Sequence, residues 1–255
     1  MRPRLPLAWH LGRDYPARIR ILALDLVFRV RRRLGLGPAR PRRARLKLGE
    51  QSIDWWVADW SDLKLLISVF LKGEYDGPLP AKADLIVDLG AHVGASVVYW
   101  RQRYPEAEIV AVEPDPESFK RLQRHTADDR RVRLIQAAVA EHPGTVRFIR
   151  SDLGWSSHLA REGEDEAVDV TAITFPELVQ DVAGDRTIDL LKVDIEGAEA
   201  YVLASPLSAV STMVIESHDS SGEPAEDASV ADVAAREGMR QVRTDWEAVS
   251  WLVRD

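Results

Sequence analysis

Four runs of this 255-residue chain carry side chains that do chemistry: VDLGAHVG (87–94), IVAVEPDPESF (109–119), LLKVDIEGAEAYVL (190–203) and VIESHD (214–219). In the first, Asp88, Gly90 and Gly94 stand between a short apolar run and a helix expected to begin near Ala95. Glycine lets the backbone turn sharply and lets another group approach a main chain without a Cβ. A dinucleotide fingerprint would place its other two glycines at His92 and Ala95, so a close approach to pyrophosphate is not prepared here. In the second run Glu113 falls 25 residues after Asp88, at the end of the next apolar run. A carboxylate there can accept hydrogen bonds from both hydroxyls of a ribose. Asp115 is expected to be a turn or helix-cap acid. The plainer alternatives are a strand–helix turn without a ligand and a surface carboxylate.

Gly-x-x-x-Gly preceded by Asp suits a nucleoside ligand that has no phosphate and ends in a charged amino-acid group, and S-adenosylmethionine is such a ligand. In the third run, alternation puts Lys192, Asp194 and Glu196 on one side of an extended strand, a cation between acids. In the fourth, Glu216 and His218 stand at the next strand terminus. Histidine titrates near neutrality and could take the proton of an attacking hydroxyl, or it could merely hydrogen bond Glu216. Asp194, Glu196, Glu216 and His218 could instead gather around a divalent cation such as Mg²⁺. Glu196 and Glu199 would equally favour a helix N-terminus through its dipole.

The elements that must position these residues alternate. Apolar runs at Leu85–Val87, Ile109–Val112, Val132–Ile135, Ile188–Val193 and Met213–Ile215 predict strands. Ala95–Arg103, Pro116–His125, Pro176–Val182 and Ala198–Leu203 predict the helices between them. That order is the signature of a parallel α/β sheet with right-handed crossovers. Met239–Arg243 and Ala248–Val253 predict a C-terminal hairpin that adds an antiparallel strand. GWSSHL (Gly154–Leu159) predicts a loop whose Trp155, Ser156, Ser157 and His158 would suit a sugar-like acceptor or form a lid. Trp55, Trp56 and Trp60 invite the same reading, although tryptophans more often serve as core.

The run from VDLGAHVG through AVEPDP to LLKVDIEGAEAYVL and VIESHD resembles the FkbM family of class I methyltransferases, mostly O-methyltransferases, over roughly Asp59 to Asp219. The resemblance implies an α/β, Rossmann-like fold with a seven-stranded, mostly parallel sheet in the order 3-2-1-4-5-7-6, strand 7 antiparallel and helices on both faces. It implies S-adenosylmethionine as cofactor and a small-molecule hydroxyl acceptor on a sugar, glycolipid or natural product. It assigns Asp88, Gly90, Ala91, His92 and Gly94 to the methionine end of the cofactor and Glu113 with Pro114 to ribose. Ala137 and Ala138, within Gln136–Val139, fall near adenine. Asp194 faces the transferred methyl, and Lys192 and His218 complete the candidate catalytic set. His92 and His125 stand where the family often has Asn. Two rivals are an NAD-dependent oxidoreductase, disfavoured by His92 and Ala95, and a non-catalytic, membrane-associated scaffold that keeps the fold.

Composition bounds these readings. With 45% hydrophobic and 29% charged residues the chain can bury one full α/β core, and with no cysteine it has no disulfide, zinc–thiolate site or thiol nucleophile. Residues 1–47 hold 14 of the 34 Lys and Arg but only Asp14 and Asp25 as acids, a net +12 against −19 beyond. An acidic body argues against nucleic acid as partner. Three regions are expected: a basic helical extension and linker at 1–45, a lead-in at 46–83 packing on the catalytic domain, and the catalytic domain at 84–255. Within the first, Pro16–Leu36 predicts a helix with Ile19, Leu22, Leu26 and Val30 at three- and four-residue steps, and Gly35–Arg45 reads as linker. That helix could lie on an anionic membrane, dock on its own domain or mediate self-association. No apolar run approaches the roughly 18–20 residues of a membrane span. Pro6, His10, Arg13 and Asp14 interrupt any signal-peptide core. A cytoplasmic location, with or without peripheral attachment to the inner membrane surface, is the expectation.

Overall fold

The computed structural model describes residues 15–36, 41–48, 51–57, 60–149, 158–159, 167–195, 197–216, 230–243 and 249–254. The chain divides into two compact units, Met1–Gly73 and Glu74–Asp255, and β1 of the first runs through the expected junction at 45/46.

The first unit comprises α1 (Tyr15–Arg33), a hairpin of β1 (Arg42–Leu48) and β2 (Gln51–Val57), and α2 (Trp60–Leu71). The expected linker Gly35–Arg45 therefore ends in a strand. Ala44 and Leu46 of β1 are buried while Arg43 and Arg45 face outward, so period-two alternation overrides the arginine density. Arg43 pairs with Asp54 across the hairpin, and Trp55 is buried in its core.

The second unit is built on a seven-stranded sheet in the order β12-β13-β11-β10-β3-β4-β5. Its strands are β3 (Leu85–Leu89), β4 (Glu108–Val112), β5 (Val132–Ile135), β10 (Ile188–Val193), β11 (Val210–Glu216), β12 (Arg240–Arg243) and β13 (Val249–Val253). β3, β4, β5, β10 and β11 are parallel, while β13 runs antiparallel to β11 and β12. This is the class I order, and the expected C-terminal hairpin supplies its antiparallel strand. The crossovers carry α3 (Ala95–Arg103), α4 (Pro116–Thr126), α5 (Phe175–Val182), α6 (Glu199–Leu203) and α7 (Val230–Glu237). One core joins sheet residues Val87, Val110, Leu191 and Met213 to Phe175 and Leu178 of α5, Val202 of α6 and Val233 of α7. Such near-continuous apolar strands are what a sheet covered on both faces requires.

An element without a sequence expectation lies between β5 and β10: a four-stranded sheet in the order β6-β9-β7-β8. It is formed by β6 (Ala138–Val139), β7 (Gly144–Ile149), β8 (His158–Leu159) and β9 (Ala167–Ile173) and carries its own small core of Ala138, Phe148 and Val170.

Candidate functional site

In this topology the chain passes from β3 to β4 and β5 on one side, then returns to β10 and β11 on the other. The crevice at the carboxyl ends of β3 and β10 is thus the topological switch point, where open α/β sheets bind ligands. Asp88 and Lys192 are paired neighbours in the β3–β10 register, which places the two charges side by side.

Both are buried. The Lys192 ammonium lies 3.2 Å from Asp88 Oδ1 and 3.3 Å from Asp194 Oδ2, and it donates to the carbonyls of Leu89 (3.2 Å) and Gly90 (2.7 Å). Asp88 Oδ2 accepts from the buried Trp100 indole of α3 at 3.1 Å. Burial pushes the Asp88 carboxyl up, opposed by Lys192 and the Ser96 hydroxyl. For Lys192 burial pulls down, but Asp88 and Asp194 outweigh it and hold the ammonium charged. Lys192 is therefore a tie between the loop carbonyls and two acids.

The glycine loop owes its shape to chain-on-chain contact. Gly90 has φ +76°, and a Cβ there would lie 1.7 Å from the Asp194 carbonyl oxygen. The missing side chain thus admits the neighbouring strand end, where the sequence suggested room for a ligand. Gly94, φ +95°, caps α3, and His92 adopts a left-handed φ of 49°. The His92 amide donates to Glu113 Oε2 and the Asp115 amide to Glu113 Oε1, both at 2.8 Å, so Glu113 ties the loop to the end of β4. Each carboxyl oxygen keeps a further lone pair for a hydroxyl. Burial raises this carboxyl to about 7 against the pull of the two amides. Asp115 is the helix cap expected of it, accepting from Ser118 N at 2.9 Å. His125 Nδ1 bonds the Val93 carbonyl at 2.6 Å, which anchors the loop to α4.

The remaining assigned residues take these places. Ala91, Ala137 and Ala138 are buried, and Pro114 is half-buried beside Glu113. Glu216 ends β11, one step beyond the paired Val193 and Ile215. Glu199 accepts from Gly197 N at 2.8 Å, a local turn bond. Glu196, His218 and Trp155, Ser156 and Ser157 lie outside the described residues, while His158 and Leu159, expected in a loop, form β8. Among the described residues no three His, Cys, Asp or Glu side chains come together as a metal site, and Asp194 is engaged by Lys192, so the Mg²⁺ reading gains no support. A cleft lined by Asp84, Glu108, Arg131 and Arg133 opens at the opposite, amino ends of the strands and is remote from this chemistry.

Two neighbours were not anticipated. Glu74, 6% exposed, lies within electrostatic reach of Asp194, Glu216 and Lys192; burial first, then Glu216 and Asp194, raise its carboxyl to about 7. Tyr75 packs its ring 4.9 Å from that of Trp100, the residue that holds Asp88. Both belong to GEYDGPLP, which reads only as a turn-rich entry because nothing local marks a buried carboxylate within reach of charges from distant strands.

The sequence profile described as Methyltransferase FkbM domain matches residues 88–237, more than half the chain, and takes in Asp88, Glu113, Lys192 and Asp194 but not Glu74 or Tyr75. The chain belongs to the FkbM methyltransferase family. It is 26% identical over 185 residues to Methyltransferase 1 of Beauveria bassiana, an alignment spanning 61% of this chain and 73% of that protein. It is 27% identical over 137 residues to the 2-O-methyltransferase NoeI of Sinorhizobium fredii, spanning 47% of this chain and 56% of that one. The crystal structure of an FkbM methyltransferase from Methylobacillus flagellatus covers 78% of this chain and 56% of its own, at 16% identity and a TM-score of 0.44. Membership makes this a methyltransferase fold. Neither the oxidoreductase nor the non-catalytic scaffold reading finds support in these likenesses.

Proposed function

We propose that this member of the family transfers the methyl group of S-adenosylmethionine to a hydroxyl oxygen of a sugar, glycolipid or natural-product acceptor. The observation that carries the reading is the Asp88–Lys192–Asp194 bridge at the switch point, with Glu113 at the end of the adjacent strand. The residues fit the donor. Glu113 would offer lone pairs to ribose hydroxyls, Asp194, whose side chain is a quarter exposed, would face the charged amino-acid end, buried Asp88 would act by holding Lys192 and the loop, and Ala137 and Ala138 would line the base. The name of NoeI, a 2-O-methyltransferase, favours oxygen as the acceptor atom.

Bound S-adenosylmethionine supplies an electrophilic methyl carbon on a positively charged sulfur. In this reading Glu74 takes the acceptor's hydroxyl proton as the new C–O bond forms and the C–S bond breaks, leaving a neutral thioether. A carboxyl that titrates near neutrality is matched to that duty. A sulfonium close by favours the ionised form, so donor binding readies the base. Side chains at the carboxyl ends of β3, β10 and β11 would position the two reactants, and positioning would supply much of the acceleration.

Calorimetry with S-adenosylmethionine and S-adenosylhomocysteine at pH 6 and pH 8 tests this. Both should bind, and the preference for the sulfonium should rise several-fold at pH 8. Glu74→Gln should keep thioether affinity and lose that rise. No binding of either by folded wild type would sink the donor assignment, and an unchanged pH response in the variant would sink the role of Glu74. Methyl-labelled donor offered to hydroxyl, amine and carbon acceptors reads the acceptor atom; label on nitrogen or carbon alone overturns O-methylation.

A further inference from the structure

Helix α1 is apolar on two opposite sides. Ala17, Ile21, Leu24 and Phe28 recur at four- and three-residue steps and are buried within the first unit, where α1 packs on β1 and α2. Tyr15, Ile19, Leu26 and Val30 form a second row on the outside, 66%, 50%, 63% and 50% exposed, and Leu34 and Leu36 continue it past the helix end. At about 100° per residue the four helical members fall within about 60° of each other, on the side away from the buried row. Arg18 and Arg29, the latter paired with Asp25, stand beside this outer row on one side, Val27 (41% exposed) widens it on the other towards Arg20, and Arg33 closes its C-terminal end. The inner face explains why the helix folds onto its unit. The outer row lies on the side away from that packing, half or more exposed.

The charge decides what can cover this row. A second copy laid symmetrically on it would bring the same arginines face to face, in a head that carries +12 over residues 1–47. An anionic surface neutralises them. The outer row also has the build of a helix that lies in a bilayer interface, an apolar face with arginines beside it whose stems can reach to the phosphates. Spanning is ruled out for α1: no described helix is long and apolar enough to cross a membrane, and its other face is already buried.

We propose that α1 docks flat on an anionic lipid bilayer, inserting Tyr15, Ile19, Leu26 and Val30 at the headgroup boundary with its arginines on the lipid phosphates. This surface is independent of the methyl-transfer site, so it stands or falls without the donor assignment. The helix serves as the chain's own membrane address.

Flotation of the full chain with extruded vesicles tests it, using pure phosphatidylcholine against phosphatidylcholine and phosphatidylglycerol at 70:30. The protein should float with the anionic vesicles at 0.1 M NaCl and at least tenfold less with the zwitterionic ones or at 0.5 M NaCl. Leu26→Ser with Val30→Ser, both at exposed positions, should cut flotation tenfold or more while circular dichroism and the unfolding midpoint stay unchanged. Arg20→Gln with Arg33→Gln should weaken the preference for anionic lipid. The proposal is overturned by no flotation with the 70:30 vesicles, by equal flotation with both lipids, or by serine variants that float like wild type. Serine variants that turn a dimer into a monomer in light scattering, without losing lipid, assign the row to self-association and overturn it as well.

Discussion

Asp88 and Lys192 meet inside the sheet, where neither charge would be tolerated alone. An isolated buried carboxylate is strongly disfavoured, and removing one partner of a buried pair leaves the other uncompensated at about 3–5 kcal/mol. Lys192→Met keeps the length of the side chain and deletes the charge, so it should lower the unfolding free energy from urea titration by that order. Adding Asp88→Asn should restore part of the loss, because the uncompensated charge disappears with it. A change in unfolding free energy of less than about 1 kcal/mol for Lys192→Met would show that the pair contributes nothing to stability. The same substitution releases the carbonyls of Leu89 and Gly90, so affinity for S-adenosylhomocysteine should fall even where the fold survives. Alternation in LLKVDIE already put Lys192 beside acids. What it could not supply was the partner across the register, since Asp88 is 104 positions away and is met only when β3 and β10 pair.

At the scale of elements, α4 and the loop before α3 are joined through the His125 ring. Burial drops its proton affinity to about 4, with the arginines at 121 and 124 adding to the effect and the Val93 carbonyl opposing it. The sign follows: the folded state keeps the ring neutral while the unfolded state protonates it near 6.5. This contribution is therefore complete above pH 6.5 and lost as pH falls towards 4, up to about 3 kcal/mol. His125→Asn keeps a donor for the Val93 carbonyl and deletes the titration. The variant should match wild type at pH 7.5 and lose less melting temperature between pH 7 and pH 4.5; an identical acid-side loss would refute the linkage. Elements with strong local signals were legible in the sequence: the five parallel strands, their helices, the glycine loop and the terminal hairpin. β1 was hidden because its solvent face is arginine, and the β6–β9 sheet because its strands are short and half polar. Glu74 shows the same limit at the site, since two of the charges that raise its carboxyl, Asp194 and Glu216, stand at distant strand ends.

At the scale of the whole molecule, two carboxyls buried at the same end of the sheet set the pH response of folding. Glu74 and Glu113 are each raised to about 7, from an ordinary value of 4.5, with burial the leading cause in both. A raised acid means that the folded state holds its proton longer than the unfolded chain does. Each contribution is complete below about pH 4.5 and lost as pH rises through 7, by about 3 kcal/mol at most per group. His125 runs the other way below 6.5, so the two acids dominate between pH 6.5 and 8, where the net −19 beyond residue 47 adds self-repulsion of the same sign. The melting temperature of the free protein should therefore fall from pH 6.5 to pH 8. Glu74→Gln together with Glu113→Gln should flatten that slope, because an amide needs no proton to be buried. A donor bound against these carboxyls should flatten it too, since a nearby sulfonium lowers Glu74 towards its unfolded value and binding to the native state alone adds stability. A melting temperature that rises across this range in the free wild type would show that neither carboxyl is held protonated in the native fold.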